Sequence, residues 1–180
     1  MSLNVGRVLL STITTTAAQA TVDFDDLLDA TYDTYSIEFS NVAPVTDVRF
    51  MIARVGTGST YDAGASDYHE TSVRNIGPTS TVPTGFSDSS SSGPFITQGT
   101  AMGTGTGELA HGNITIYRPS DVENTFFKWE TSLFGETANI ITIQGTGMRT
   151  SQANRPSFRL LLNSTGGFAA DGVFKLYGIR

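Results

Sequence analysis

Apolar and polar side chains alternate most clearly between Ala20 and Val55. Tyr35, Ile37 and Phe39 fall on one side of an extended chain, with Ser36, Glu38 and Ser40 on the other. A second run sets Val48, Phe50 and Ile52 against Arg49, Met51 and Ala53. A side-chain period of two is what a strand with one buried face requires. The link between the runs, NVAPVTD, carries Pro44, which donates no backbone hydrogen bond, and Asn41 and Asp47, which favour turns. The pattern predicts two consecutive antiparallel strands that seed an all-β sandwich.

Further short strands follow on either side. Thr21–Phe24 reads as a strand, and 25–29 as a single helical turn with Leu27 and Leu28 inward. GTGSTYDAGASD (56–67) reads as a glycine-rich hairpin loop, and 68–76 as a strand at an edge or interface, given its mixed polarity. Phe95 to Met102 is predicted as a strand. In 109–117, Ile114 and Ile116 point inward. Residues 125–134 hold Phe126, Phe127, Trp129 and Phe134, the densest aromatic patch. Strand-like runs recur at 139–144, ending at Gly145 and Gly147, at 157–163 through Phe158, Leu160 and Leu162, and at 172–180. Many short strands with frequent turns and no long helix predict an antiparallel, jelly-roll-like β-sandwich with long Gly/Ser/Thr-rich loops, one domain over 1–180. The Pro- and Ser-rich segment 77–94 is predicted as an exposed loop, and Phe86 within it as an aromatic seeking a surface to cover. Residues 1–16 read as a first strand or as an N-terminal arm gripping a neighbour; their apolar core is too short for a signal peptide.

Composition narrows the function classes. The net charge is −6 and no Lys/Arg cluster occurs, which argues against nucleic-acid binding. No apolar run reaches membrane-spanning length. With no cysteine, disulfides and thiolate metal sites are excluded, and stability rests on packing and subunit association. Charged residues are only 16 %, so the surface is mostly uncharged and polar.

Candidate chemistry is sparse. His69 and His111 stand far apart in the chain without a metal-ligand motif. The acidic run Asp23, Asp25, Asp26, Asp29 and Asp33 invites calcium, but Leu27, Leu28 and Thr34 occupy positions an EF-hand loop needs for ligands and its turn glycine. Turn capping is the preferred reading there. GTGELA (105–110) matches a dinucleotide fingerprint only formally, because a strand rather than a helix follows it. Glu130 beside Trp129, with Phe126 and Phe127 near, is a possible sugar platform, weighed against a core role for the aromatics. No catalytic residue, metal ion or cofactor is expected.

The stretches TVDF, LLDATYDTY, IEFSNVAPVTD, GSTYDAGASDYHE and the closing FKLYGIR resemble small jelly-roll virion proteins of tailed bacteriophages, capsid decoration proteins and tail-appendage modules among them. The resemblance runs from Thr21 to Arg180 and implies a non-enzymatic structural protein. It implies a capsid-exterior location, with the major capsid protein and copies of the chain itself, most simply a trimer, as partners. The alternative it implies is a tail-appendage module binding host-surface carbohydrate. Phe86, Tyr61, Trp129 and Tyr117 are the expected interaction residues.

Overall fold

A computed structural model describes residues 6–77, 82–135 and 139–180, and within them every regular element is a strand. In chain order these are β1 (Arg7–Thr14), β2 (Thr21–Phe24), β3 (Thr34–Val42), β4 (Met51–Thr57), β5 (Thr60–Tyr61) and β6 (Tyr68–Gly77). β7 (Thr84–Ser91), β8 (Ala110–Tyr117), β9 (Phe126–Phe134), β10 (Ile140–Arg149), β11 (Ser157–Leu162) and β12 (Val173–Ile179) complete the set. All pairings are antiparallel, in an eight-stranded sheet of order β1-β12-β3-β8-β9-β10-β6-β7 and a four-stranded sheet of order β2-β11-β4-β5.

The pairings nest. β1 bonds β12, β2 bonds β11, β3 bonds β8 and β4 bonds β5. First with last, second with second-to-last, and so inward, is a long antiparallel hairpin wound across two sheets, which is the jelly-roll arrangement. The other four strands, β9, β10, β6 and β7, widen one sheet beyond β8.

One apolar cluster joins the layers. Tyr35, Ile37, Ile114, Ile116, Phe174 and Leu176 from the large sheet meet Val22, Phe24, Met51, Ala53, Val55, Phe158 and Leu160 from the small one, all buried. The alternation in β3, β8 and β11 places these side chains as the sequence predicts, and β12 turns Phe174 and Leu176 inward beside them.

β3 and β4, expected to pair, lie in opposite sheets. Their link is a crossover rather than a hairpin: Pro44 bridges to Phe168, and Asn41 and Val48 both take positive φ. The phase of the second run shifts as a result. Val48 is exposed, and Met51, Ala53 and Val55 carry the core side of β4. At residues 25–29 the chain makes a turn without helix, burying Leu28 and leaving Leu27 outside.

Two further expectations exchange places. Within 77–94, Thr84–Ser91 is the edge strand β7, paired along β6, whereas residues 78–81 lie outside the described set. An edge strand facing water needs no apolar face, so its Ser-rich sequence carried no strand signal. β6 in turn sits one strand in from the edge, between β10 and β7. The predicted strand over Phe95–Met102 is instead a strap, held to β4 and its approach by two isolated bridges, Ile52 to Phe95 and Arg49 to Met102, and by Met51 N–H donating to Thr97 Oγ1 at 2.9 Å. The strap forms the second layer over the widened part of the large sheet. Ile96 N–H donates to Met51 O at 2.8 Å, Thr131 Oγ1 to Ile96 O at 3.1 Å, and Phe95 N–H to Glu70 Oε2 at 2.7 Å.

Glu70 therefore points into the interior, 7 % exposed. Burial pushes its carboxyl up to about 7. The folded chain holds that proton more tightly than the unfolded chain, whose value is near 4.5, so this group's contribution to stability is lost as pH rises from 4.5 through about 7. Glu70→Gln is expected to melt with the parent at pH 4.5 and above it at pH 8, read by scanning calorimetry. An equal offset at both pH values would contradict the assignment.

Candidate contact face

The widened half of the large sheet presents its other face to water. Strand alternation sends Phe127, Trp129, Thr131 and Leu133 of β9 inward and Phe126, Lys128, Glu130 and Ser132 outward. The same parity turns Gln144, Thr146 and Met148 of β10 outward, with His69, Thr71 and Val73 of β6. Register then fixes which of these stand side by side. Phe126 lies opposite Met148, and Met148 opposite His69. The next row is Lys128, Thr146 and Thr71, and the one after it Glu130, Gln144 and Val73. β8 adds Tyr117, Thr115 and Asn113 beside Phe126, Lys128 and Glu130.

The result is a grid three rows deep and four strands wide, with rows about 7 Å apart and columns about 4.8 Å apart. One end is an aromatic shelf: Phe126 is 49 % and Tyr117 38 % exposed. The middle row carries three hydroxyls and the Lys128 ammonium, and the far row two amides, the Glu130 carboxylate and Val73. Gln144 Nε2 approaches Glu130 Oε1 at 3.4 Å. Two depressions lie along it. One of about 370 Å³ is lined by Lys128, Glu130, Gln144, Thr146, Thr71 and Val73, and one of about 250 Å³ by Phe126, Met148 and His69; Thr71 and Thr146 border both. They adjoin at Thr71 and Thr146 and follow one another along β9, β10 and β6; the pair is termed the trough.

The four residues singled out from sequence do not converge. Tyr117 is on the shelf. Trp129 faces the other way at 1 % exposure, its ring laid over Gly145, where an added Cβ would fall 2.1 Å from Cζ2. The platform expected at Trp129 is therefore core, and the close approach explains why β10 runs on through Gly145 and Gly147 instead of stopping there. Phe86, on β7, is half-buried, its ring under the Arg74 guanidinium (5.1 Å to the centroid) and against Gly99. Tyr61, on β5, stacks under Arg159 at 4.0 Å and donates its hydroxyl to Asp25. That contact belongs to a structural cluster. Arg159 forks onto Asp23 (2.7 and 2.6 Å), its direct cross-strand partner. Burial first, and the Asp25 carboxylate second, hold the Tyr61 phenol above its usual range.

Phe126 and Gln144 are functional candidates on this face; the sequence pattern points to Phe126 only as a neighbour of Trp129, and does not single out Gln144. The parity around Trp129 contained the signal: if Trp129 points in, Phe126, Lys128 and Glu130 point out.

The acidic run also resolves into local bonds. Asp26 Oδ1 accepts from Gly58 N–H at 3.0 Å, and Asp29 Oδ1 from Thr31 N–H at 2.8 Å. Among the described residues no group of three or more His, Asp or Glu side chains is placed to hold a metal ion. His69 borders the trough, and His111 Nδ1 accepts from Asn41 N–H at 3.3 Å.

No protein-family model matches the chain, and no curated protein matches it. Among solved structures it is similar to the enzymatically active domain of tailspike protein 2 of bacteriophage CBA120. The TM-score is 0.30 at 12 % identity, over 97 % of this chain and 24 % of that one. The chain thus spans about a quarter of that structure's length.

Proposed function

We propose that the chain is a structural module of a tailed-phage particle that works by surface contact and transforms no substrate. The observation that carries this reading is the open face of β8, β9, β10 and β6, a broad array whose side chains are positioned by strand register rather than by loops. The sequence resemblance to phage virion modules supplies the setting. Of the two placements that resemblance implies, the tail appendage meeting host-surface carbohydrate fits the face better. A stable protein interface has a buried core richer in apolar groups than its rim. Here the order is reversed: apart from Val73 the apolar side chains gather in one end row, and the middle row, Thr115, Lys128, Thr146 and Thr71, is polar.

Capsid decoration, with the major capsid protein and copies of the chain as partners, has a different observation in its favour. β1 ends the large sheet, and Val8 and Leu9 on it are 43 % and 53 % exposed. An uncovered strand edge can take a strand from a neighbour. Immunogold labelling of intact particles with antibody to the chain separates the two. Label at the tail tip is the expected result, and label over the head would move the module to the capsid. Particles that carry no label would overturn the virion reading altogether.

A further inference from the structure

From the trough we infer a binding site for a short neutral saccharide, its first ring seated on Phe126 and a later ring, more than one step along, reaching Gln144. The inference rests on the contact-module reading and names the ligand class and the residues of that face.

The chemistry follows the rows. A pyranose has one face of C–H bonds and a rim of hydroxyls. Half-exposed and fixed by its strand, Phe126 offers a ring whose negative face attracts C–H groups, and Met148 beside it extends the apolar shelf. Four residues along β10, about 13 Å, separate Met148 from Gln144. Over that distance the trough supplies acceptors and donors in alternation: the Thr146 hydroxyl, the Lys128 ammonium, the Gln144 amide and the Glu130 carboxylate. Neighbouring hydroxyls on a sugar each donate and accept, and a primary amide beside a carboxylate answers both roles. Lys128 and Glu130 cancel in charge, so the trough selects for a neutral ligand; a polyanion would meet Glu130, and a polycation Lys128. The middle row, Thr115, Lys128, Thr146 and Thr71, leaves no apolar patch at the centre for a protein partner.

The test is a two-dimensional NMR titration of the intact chain with three probes: dextran, laminarin, and neutral polysaccharide released from the host envelope. At least one probe is expected to shift the amides of Phe126, Thr146 and Gln144. Phe126→Ala and Gln144→Ala should each weaken that probe ~10-fold. Both side chains are outward-facing, so both variants should keep the parent's circular dichroism spectrum. Phe86→Ala, on the other face of the sheet, should bind as the parent does. Absence of grid shifts with all three probes overturns the saccharide site, as does binding indifferent to both variants. Shifts at the same amides on raising protein concentration without sugar would mark a self-interface and also overturn it. These failures are distinct from failure of the virion reading, which immunogold labelling reports independently.

Discussion

Trp129→Ala is expected to lower the unfolding free energy by about 3–5 kcal/mol, the range for removing a large buried aromatic. The Trp129 ring is 1 % exposed and fills the space that Gly145, opposite it on β10, leaves empty. No neighbour of comparable size can enter from β10, because Gly145 and Gly147 are the residues beneath it. The reciprocal change, Gly145→Ala, drives a methyl into the same ring. Overpacking of this kind typically costs about 1–3 kcal/mol. The two effects share one volume, so they should not add. In the Trp129→Ala background, Gly145→Ala should be close to neutral, and a double-mutant cycle by urea denaturation reads the coupling. Additive losses would show that ring and glycine do not compete for space.

Asp62→Ala is the second large effect, at about 3 kcal/mol. Asp62 Oδ2 accepts from the Nε of both Arg149 and Arg155, the latter at 2.6 Å. Arg149 is 6 % exposed. One carboxylate thus ties the chain just after β5 to the end of β10 and to the approach to β11. Removing it strands a buried guanidinium without a counter-charge, and breaking a buried pair costs more than replacing it outright. The loss lies at the low end for a broken buried pair because the Asp62 side chain keeps 18 % exposure. Adding Arg149→Met to Asp62→Ala should recover much of the loss, since the stranded charge is then gone. A double variant as unstable as the sum of the singles would assign the effect to something other than that charge.

These sites show where sequence reasoning reaches and where it stops. β8 was legible because Ile114 and Ile116 alternate with polar residues, and β11 through Phe158, Leu160 and Leu162. In β12 only the strand was legible, since Val173, Tyr177 and Ile179 keep period alone from setting its inward face. β7 was not, because an edge strand needs neither apolar side chains nor alternation, and its serines imitate a loop. The continuation of β10 past Gly145 was hidden for a non-local reason: the glycines fit a ring from another strand. β4 was displaced in phase because Val48, at positive φ, belongs to the crossover and not to the strand. Tyr117 stands on the outer face, and its neighbours across the sheet depend on register between distant segments, which no local pattern encodes. Choosing Trp129 by residue type overlooked the alternation that exposes Phe126 instead.

Oxidative footprinting of the chain bound to host envelope fragments, against the free chain, puts the outer face itself to the test. Aromatic and thioether side chains react readily when exposed, and Tyr117, Phe126 and Met148 stand together on the shelf. Protection of these three on binding, with Tyr177 on β12 unchanged, is the expected result. Unaltered labelling of the shelf while other surfaces become protected would contradict the account.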